Sequence, residues 1–251
     1  MKRNILKCIS IVDDFILDEY KDNNIGVEIQ DFTESNLSKD EIDKIVKKYK
    51  GLFQNFNNIK SLHGPFLDLK PASPDEDIRK LSYNKYLRTI NIAQELEMDY
   101  LIFHSQINPF LSEPFISDLN NRQSREFWVK IMAETQEYKG TILIENIFEE
   151  SPKMLKEYMQ TLNMDNIKVN LDIGHARLGK ASLEEWISEL KDYIAYIHLH
   201  WNNGIYDQHM EPTVGDMDQV KSLLNKYNIN PVISLEHKVT DLKSTVELLR
   251  K

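Results

Sequence analysis

Carboxylates and histidines recur at the ends of short apolar runs in this sequence. Three runs end on an acid: TILIE on Glu145, VNLD on Asp172 and VISLE on Glu236. Burying a charge there costs free energy unless the charge is paired or bound to a metal. All seven histidines also lie at the end of a run or in the loop just after it, and none lies in a predicted helix. They are His63, His104, His175, His198, His200, His209 and His237.

Imidazole nitrogens and carboxylate oxygens together form the donor set that zinc, manganese, iron or cobalt accepts. Taken singly, a histidine at a strand end is more often a hydrogen-bonded structural residue than a ligand. A single strand-end glutamate can likewise pair with a nearby lysine. The joint placement of so many donors favours a metal site, provided that the fold brings the strand ends together.

An alternation of apolar runs and amphipathic segments predicts the elements that would position these residues. Eight runs predict strands, at 5–11, 26–31, 59–63, 100–104, 141–145, 168–172, 195–199 and 232–236. Segments with apolar residues three or four positions apart predict helices, at 38–53, 74–98, 118–138, 152–162, 182–193, 216–227 and 240–249. Strict alternation indicates a parallel sheet with helical crossovers.

Eight such units in 251 residues predict a closed (β/α)8 TIM barrel, an α/β fold, as a single domain over residues 1–251. The carboxyl ends of all strands face one mouth of such a barrel, where its active site lies. A doubly wound open sheet is the alternative. No GxGxxG or GxxxxGK[ST] sequence follows a predicted strand, which argues against dinucleotide and P-loop sites.

Composition narrows the function classes. The net charge of −9 repels a phosphate backbone, so binding to nucleic acid is not expected. A single cysteine, Cys8, rules out an intrachain disulfide framework and fits a reducing compartment. We see neither a signal peptide nor a stretch of roughly 18 apolar residues that could span a membrane. The expectation is a soluble, cytoplasmic protein.

Seven segments of the chain, read in order, resemble the motifs of a known superfamily. They are SLHGPFLDLKPASPDEDIR, YLIFHS, ILIENI, NLDIGHA, IHLHWNNG, YDQH and ISLEH. In this order and spacing they resemble the xylose-isomerase-like TIM barrels. That superfamily includes sugar isomerases and epimerases and the endonuclease-IV-type apurinic/apyrimidinic endonucleases.

The resemblance implies a set of metal ligands. The endonuclease-like pattern has nine ligands for three metals, and each ligand has a match in this chain. The matches are His63, His104, Glu145, Asp172, His175, His198, Asp207, His209 and Glu236. The implied cofactor is a divalent metal, zinc or manganese, present as one to three ions.

The ligand pattern of the isomerase and epimerase branch is similar to a subset of these nine residues. This resemblance implies one metal, held by Glu145, Asp172, His198 and Glu236. Glu145 and Glu236 would be the catalytic pair, flanking the substrate carbon that loses and regains a proton. The metal would polarise the substrate oxygens and stabilise an enediolate.

Further residues near these positions are candidates for substrate binding. His200 lies two residues beyond His198 and should face the same side of the strand, as a partner of the ligands or an alternative ligand. Arg177 and Lys238 could hold a phosphate or carboxylate of the substrate, or could be ordinary surface cations. Trp201 could pack against a sugar face.

The sequence departs from the superfamily after IHLH, where Asp-Asn-Asp-Gly is common. This chain has Trp201-Asn202-Asn203-Gly204, so a carboxylate near the metals is missing. The nine ligand matches are unaffected, but the departure leaves the details of the substrate open. His237, next to Glu236, should point away from the barrel axis.

Three function classes follow. A sugar or sugar-phosphate isomerase or epimerase is favoured by the compact length, the acidic charge and the flanking glutamates. A metal-dependent phosphoester hydrolase is favoured by the nine ligand matches but disfavoured by the charge and by the lack of bases in 109–117. A non-catalytic metal or sugar binding module fits the complete ligand set poorly. The expected partner is a small sugar or phosphoester, and a homo-oligomer is compatible with the sequence.

Overall fold

The eight apolar runs form eight parallel strands that close into a barrel in the computed structural model, which describes residues 2–11 and 16–251. The strands are β1 (Ile5–Ile9), β2 (Gly26–Ile29), β3 (Lys60–His63), β4 (Tyr100–His104), β5 (Thr141–Glu145), β6 (Ile167–Asp172), β7 (Ile194–Leu199) and β8 (Val232–Leu235). Each strand pairs with the next one along the chain, and β1 pairs with β8. The prediction of a (β/α)8 barrel is confirmed, and the closing pair of strands excludes an open sheet.

Helices connect the strands and cover the outside of the barrel. They are α1 (Leu17–Asp22), α2 (Lys39–Phe53), α3 (Glu76–Glu95), α4 (Pro114–Glu134), α5 (Pro152–Leu162), α6 (Ile173–Leu178), α7 (Leu183–Leu190), α8 (Val214–Lys226) and α9 (Leu242–Arg250). A short 3-10 turn at Pro109–Leu111 precedes α4. No helix in the described ranges is long and apolar enough to cross a membrane.

Two of these helices were not predicted from the sequence. Both α1 and α6 have six residues, fewer than two turns, so no amphipathic period can be seen in them. His175 lies in α6, so its predicted position in a loop after the strand is wrong. The helix begins directly after β6, with Asp172 as its N-cap residue and the backbone N–H of His175 donating to Asp172 Oδ1 at 2.6 Å.

The interior of the barrel changes from apolar to polar towards its mouth. At the bottom, Leu6, Ile102, Leu143, Tyr196 and Val232 form a small buried cluster. Successive side chains of a strand point to opposite faces, so the residue two positions further along also points inward. This periodicity places polar or charged residues above that cluster. They are Cys8, His104, Glu145, His198 and Ser234.

Candidate metal centre

His198 is the centre of the group of residues at the mouth. Its Nδ1 atom lies 2.9 Å from Glu236 Oε2, 3.2 Å from Glu145 Oε2 and 3.5 Å from Asp172 Oδ2. Parallel pairing sets Asp172 of β6 beside His198 of β7. The imidazole, Glu145 and Asp172 are buried, whereas the Glu236 side chain is 14% exposed. The four residues implied for a single metal therefore share one centre.

The protonation of His198 determines whether this centre favours a bound cation. Its other nitrogen, Nε2, lies 2.9 and 3.1 Å from the two oxygens of Glu28. An ionised carboxylate can only accept a hydrogen bond, so Nε2 carries the proton and donates. Nδ1 then presents a lone pair to three carboxylates, and it makes no well-formed hydrogen bond within the described residues. Such an arrangement is repulsive unless a cation lies between the groups.

In the absence of metal, a second proton on the His198 imidazole supplies the positive charge between these groups. Burial disfavours the charged imidazole, but the carboxylates of Glu236, Glu28 and Glu145 outweigh it and raise the pKa of His198 well above its usual value. Burial likewise opposes ionisation of Glu145, yet the nearby imidazoles, His198 foremost, hold its pKa well below the usual range. Three carboxylate oxygens and one imidazole nitrogen are also a fitting donor set for zinc or manganese.

Glu145 connects this centre to a second group of imidazoles. Its oxygens lie 3.4 Å from His104 Nε2, 3.4 Å from His175 Nδ1 and 3.6 Å from His63 Nε2. Asn170 donates to Glu145 Oε2 at 2.8 Å and so holds the carboxylate. Burial lowers the pKa of His104 to about 3, so this imidazole stays neutral and keeps a lone pair available for a metal.

A third group forms around Asp207, nearer the solvent. Asp207 oxygens lie 2.9 Å from His209 Nε2, 3.3 Å from His175 Nε2 and 3.5 Å from His200 Nδ1. The Nδ1 atoms of His175 and His209 are 2.9 and 2.8 Å from the backbone oxygens of Asn146 and Glu236. Because a carbonyl only accepts, each Nδ1 donates and each Nε2 faces the carboxylate.

All nine residues implied as ligands therefore belong to one continuous network of contacts at the mouth. The network runs from His63 and His104 through Glu145 and His198 to the group around Asp207. Their role as metal ligands stays a prediction, which their imidazole and carboxylate donor types support.

His200 joins the network through Asp172. Its Nε2 atom lies 3.0 Å from both oxygens of Asp172, and its ring stacks on that of His209 with centroids 4.0 Å apart. The ring also lies directly over Gly174, where an added Cβ would be 1.8 Å from His200 Cε1. This geometry agrees with the interpretation of His200 as a partner that orients a ligand.

We expect Gly174→Ala to lower stability by about 1–3 kcal/mol, because the new methyl group must displace the buried His200 ring. The melting temperature should fall by several degrees, and zinc affinity should fall with it because Asp172 loses a donor. Gly51→Ala is the matched control: a Cβ there meets no described atom within 4 Å, and alanine inside α2 should be neutral or stabilising. Equal melting temperatures for the Gly174 variant and the wild type would contradict the packing described for His200.

The remaining candidates for substrate binding lie at the edge of the site. The Arg177 guanidinium stacks on Trp201, with Cζ 3.8 Å from the ring centroid, and donates to the backbone oxygen of Asn202 at 3.3 Å. Lys238 is exposed. His237 is buried, and its Nδ1 lies 3.1 Å from the backbone oxygen of Lys238. Substrate roles for Arg177, His200, Trp201 and Lys238 stay predictions.

Sequence reasoning missed Glu28 of β2, which is fully buried. The ligand atoms of Cys8, Glu28, His198 and Glu236 all lie within 4.8 Å of one another. The signal was a lone acid inside the otherwise apolar run GVEI, but the residue it contacts is 170 positions away. Nothing local in the sequence identifies that partner.

Together, the closed barrel and the network of acids and imidazoles at its mouth define a class of protein. The model of the xylose isomerase-like TIM barrel family matches residues 24–251, and the chain belongs to that family. An uncharacterised protein of Methanocaldococcus jannaschii is 28% identical over 204 residues, which cover 76% of this chain and 68% of that protein.

Solved structures share the fold. A Thermus thermophilus protein soaked with zinc chloride superposes with a TM-score of 0.74 at 20% identity, over 98% of this chain and 96% of its own. A D-tagatose 3-epimerase-like protein superposes with a TM-score of 0.75 at 22% identity, over 98% of this chain and 94% of its own.

Proposed function

We propose that this protein is a metal-dependent sugar or sugar-phosphate isomerase or epimerase. One observation carries the proposal: Glu145, Asp172 and Glu236 all lie within 3.5 Å of Nδ1 of His198. The family assignment and the fold shared with a D-tagatose 3-epimerase-like protein support it. The chemistry that a bound divalent cation supplies here is polarisation of the substrate oxygens, which acidifies the neighbouring C–H bond.

We propose that the two glutamates move the proton. They come from β5 and from the end of β8, three strands apart around the barrel, and so approach the shared centre from different sides. Glu236 is the more accessible, with Oε1 contacting Gln30 Nε2 at 3.3 Å. Glu145 is more tightly held and stays ionised. We assign proton removal to Glu236 for one face of the substrate and to Glu145 for the other.

Solvent-exchange measurements test this function. Protein loaded with zinc or manganese is incubated in deuterated water with a panel of ketoses and ketose phosphates. We expect deuterium to appear at a carbon next to the carbonyl of at least one substrate, followed by NMR. Chelator-treated protein and the Glu236→Gln variant should exchange at least a hundredfold more slowly. No exchange across a broad panel, with metal content verified, would count decisively against the proposal.

A phosphoester hydrolase is the second candidate, and the outer group around Asp207 favours it. Three contiguous groups of donors could hold three ions, which suits activation of water and stabilisation of a leaving oxygen. Against DNA as substrate, the loop and helix start after β4 present Phe110 and Phe115, 92% and 64% exposed, and no base over 109–117. Cleavage of an abasic-site oligonucleotide at low salt, or of a small phosphodiester, would establish the hydrolase instead.

A further inference from the structure

Glu28 lies below the candidate metal centre, inside the barrel, and has no access to solvent. Its carboxylate is surrounded by donors. Besides His198, Tyr196 Oη donates to Glu28 Oε2 at 2.7 Å and Gln30 Nε2 donates to Oε1 at 2.8 Å. Burying a carboxylate costs several kcal/mol unless such bonds compensate it. These contacts allow Glu28 to stay ionised inside the barrel.

The neighbours of Glu28 connect it to the apolar cluster inside the barrel. Tyr196 belongs to the apolar cluster at the bottom of the barrel and lies two residues before His198 on β7. A line of contacts therefore runs from this cluster through Tyr196 and Glu28 to the Nε2 edge of His198. The opposite edge of the same ring faces Glu145, Asp172 and Glu236.

We propose that Glu28 is a positioning residue that keeps the proton of His198 on Nε2 and thereby presents Nδ1 as a metal ligand. The inference rests on the proposed function only in requiring a metal at this centre, and not on the identity of the substrate. A carboxylate that accepts from the second nitrogen of a ligating histidine fixes the orientation of the ring and makes it a stronger ligand. Loss of such a partner typically weakens metal binding 10–100-fold.

The main alternative places the metal on the other side of His198. Cys8 Sγ lies 3.2 Å from Ser234 Oγ and 3.4 Å from Gln30 Nε2, and it belongs to the group of potential donors with Glu28, His198 and Glu236. A cation bound there would be ligated by Nε2 of His198 and by the Cys8 thiolate. The two arrangements differ in which nitrogen is metallated and in whether sulfur is a ligand.

Metal affinity of Glu28→Gln tests the proposal. We expect zinc, competed against a chromophoric chelator, to bind 10–100-fold more weakly than to the wild type. Glutamine has one acceptor oxygen, whereas Glu28 uses two oxygens to accept from His198, Tyr196 and Gln30. Glu149→Gln is the matched control for loss of a buried carboxylate, because Glu149 is also buried but its oxygen accepts from the Ile147 backbone N–H at 2.8 Å instead of from a candidate ligand. Zinc affinity within twofold of the wild type in the Glu28 variant would overturn the proposal.

Two spectroscopic measurements keep the proposal testable if Glu28→Gln does not fold. Long-range proton–nitrogen NMR of the zinc-loaded wild type should show His198 protonated at Nε2 and metallated at Nδ1; the reverse assignment overturns the proposal. Cobalt-loaded protein should lack the near-ultraviolet thiolate charge-transfer band, and a band that disappears in Cys8→Ser would place the metal at Nε2.

The outcomes distinguish this inference from the proposed function. A wild type that binds neither zinc nor cobalt overturns both of them. Metal binding without deuterium exchange overturns only the proposed function and leaves the role of Glu28 intact.

Discussion

Replacing Glu145 by glutamine is expected to lower turnover by about 10²–10⁴-fold, the range associated with loss of a group that transfers a proton. The expectation follows from the position of Glu145, whose two oxygens lie within 3.6 Å of His63, His104, His175 and His198. Glutamine keeps the shape and the contact with Asn170, but it removes the negative charge that the proposed function requires for metal binding and proton transfer.

The rate of deuterium exchange and the zinc content per chain are the two measurements for Glu145→Gln. Both should fall, while circular dichroism stays that of the wild type. Glu149→Gln, four residues further along the chain, serves as the control for loss of a buried carboxylate and should keep both properties. If Glu145→Gln binds zinc normally and exchanges deuterium at the wild-type rate, then Glu145 is neither ligand nor base.

Zinc is expected to raise the melting temperature by about 8–16 °C when it is present at a thousand times its dissociation constant. This range combines roughly 4 kcal/mol of ligand stabilisation with about 2–4 °C per kcal/mol for a chain of this size. We further expect the shift to grow as the pH rises from about 6.5 to 8.5.

The direction of this pH dependence follows from the histidines. Burial opposes protonation of His209, but its hydrogen bond to Asp207 outweighs that effect and raises the pKa from 6.5 to about 9. A group whose pKa is raised on folding stabilises the metal-free protein fully below pH 6.5, and this contribution is lost as the pH rises towards 9. Zinc needs the unprotonated nitrogen, so the same rise in pH favours binding.

Melting curves at about pH 6.5 and 8.5, with zinc or with a chelator, measure this effect. Without metal, the contribution of His209 to the stability of the protein should decline from the lower pH to the higher. The difference in melting temperature between the zinc and chelator samples should therefore be larger at the higher pH. A zinc-induced shift that is the same at both pH values would show that protons and metal do not compete for these imidazoles. No shift at either value would argue against a metal site at the mouth.

Much of the candidate site could be predicted because the chemistry repeats at equivalent positions. His63, His104, Glu145 and Asp172 each end a strand, and parallel pairing in a barrel brings all such ends to one mouth. The prediction required only the periodicity of the strands and the alternation of elements, both of which are local properties of the chain. Glu236, directly after β8, follows the same rule.

Other features could not be seen locally. Helix α6 is too short to show a period, so the position of His175 on a helix was missed. The packing of His200 against Gly174 depends on the distance between two loops, and an isolated glycine in the sequence does not reveal what lies over it.

By itself, then, the sequence determined the number and order of the strands and the edge of the sheet where the acids and imidazoles would gather. Only the tertiary structure decided which nitrogen of each histidine faces which carboxylate, because closing the barrel brings together groups such as Glu28 and His198 that are 170 residues apart. Hydrogen-bond direction at each imidazole depends on those partners. The contact of Glu28 with His198, which sets the protonation of that imidazole, therefore exists only in the folded barrel.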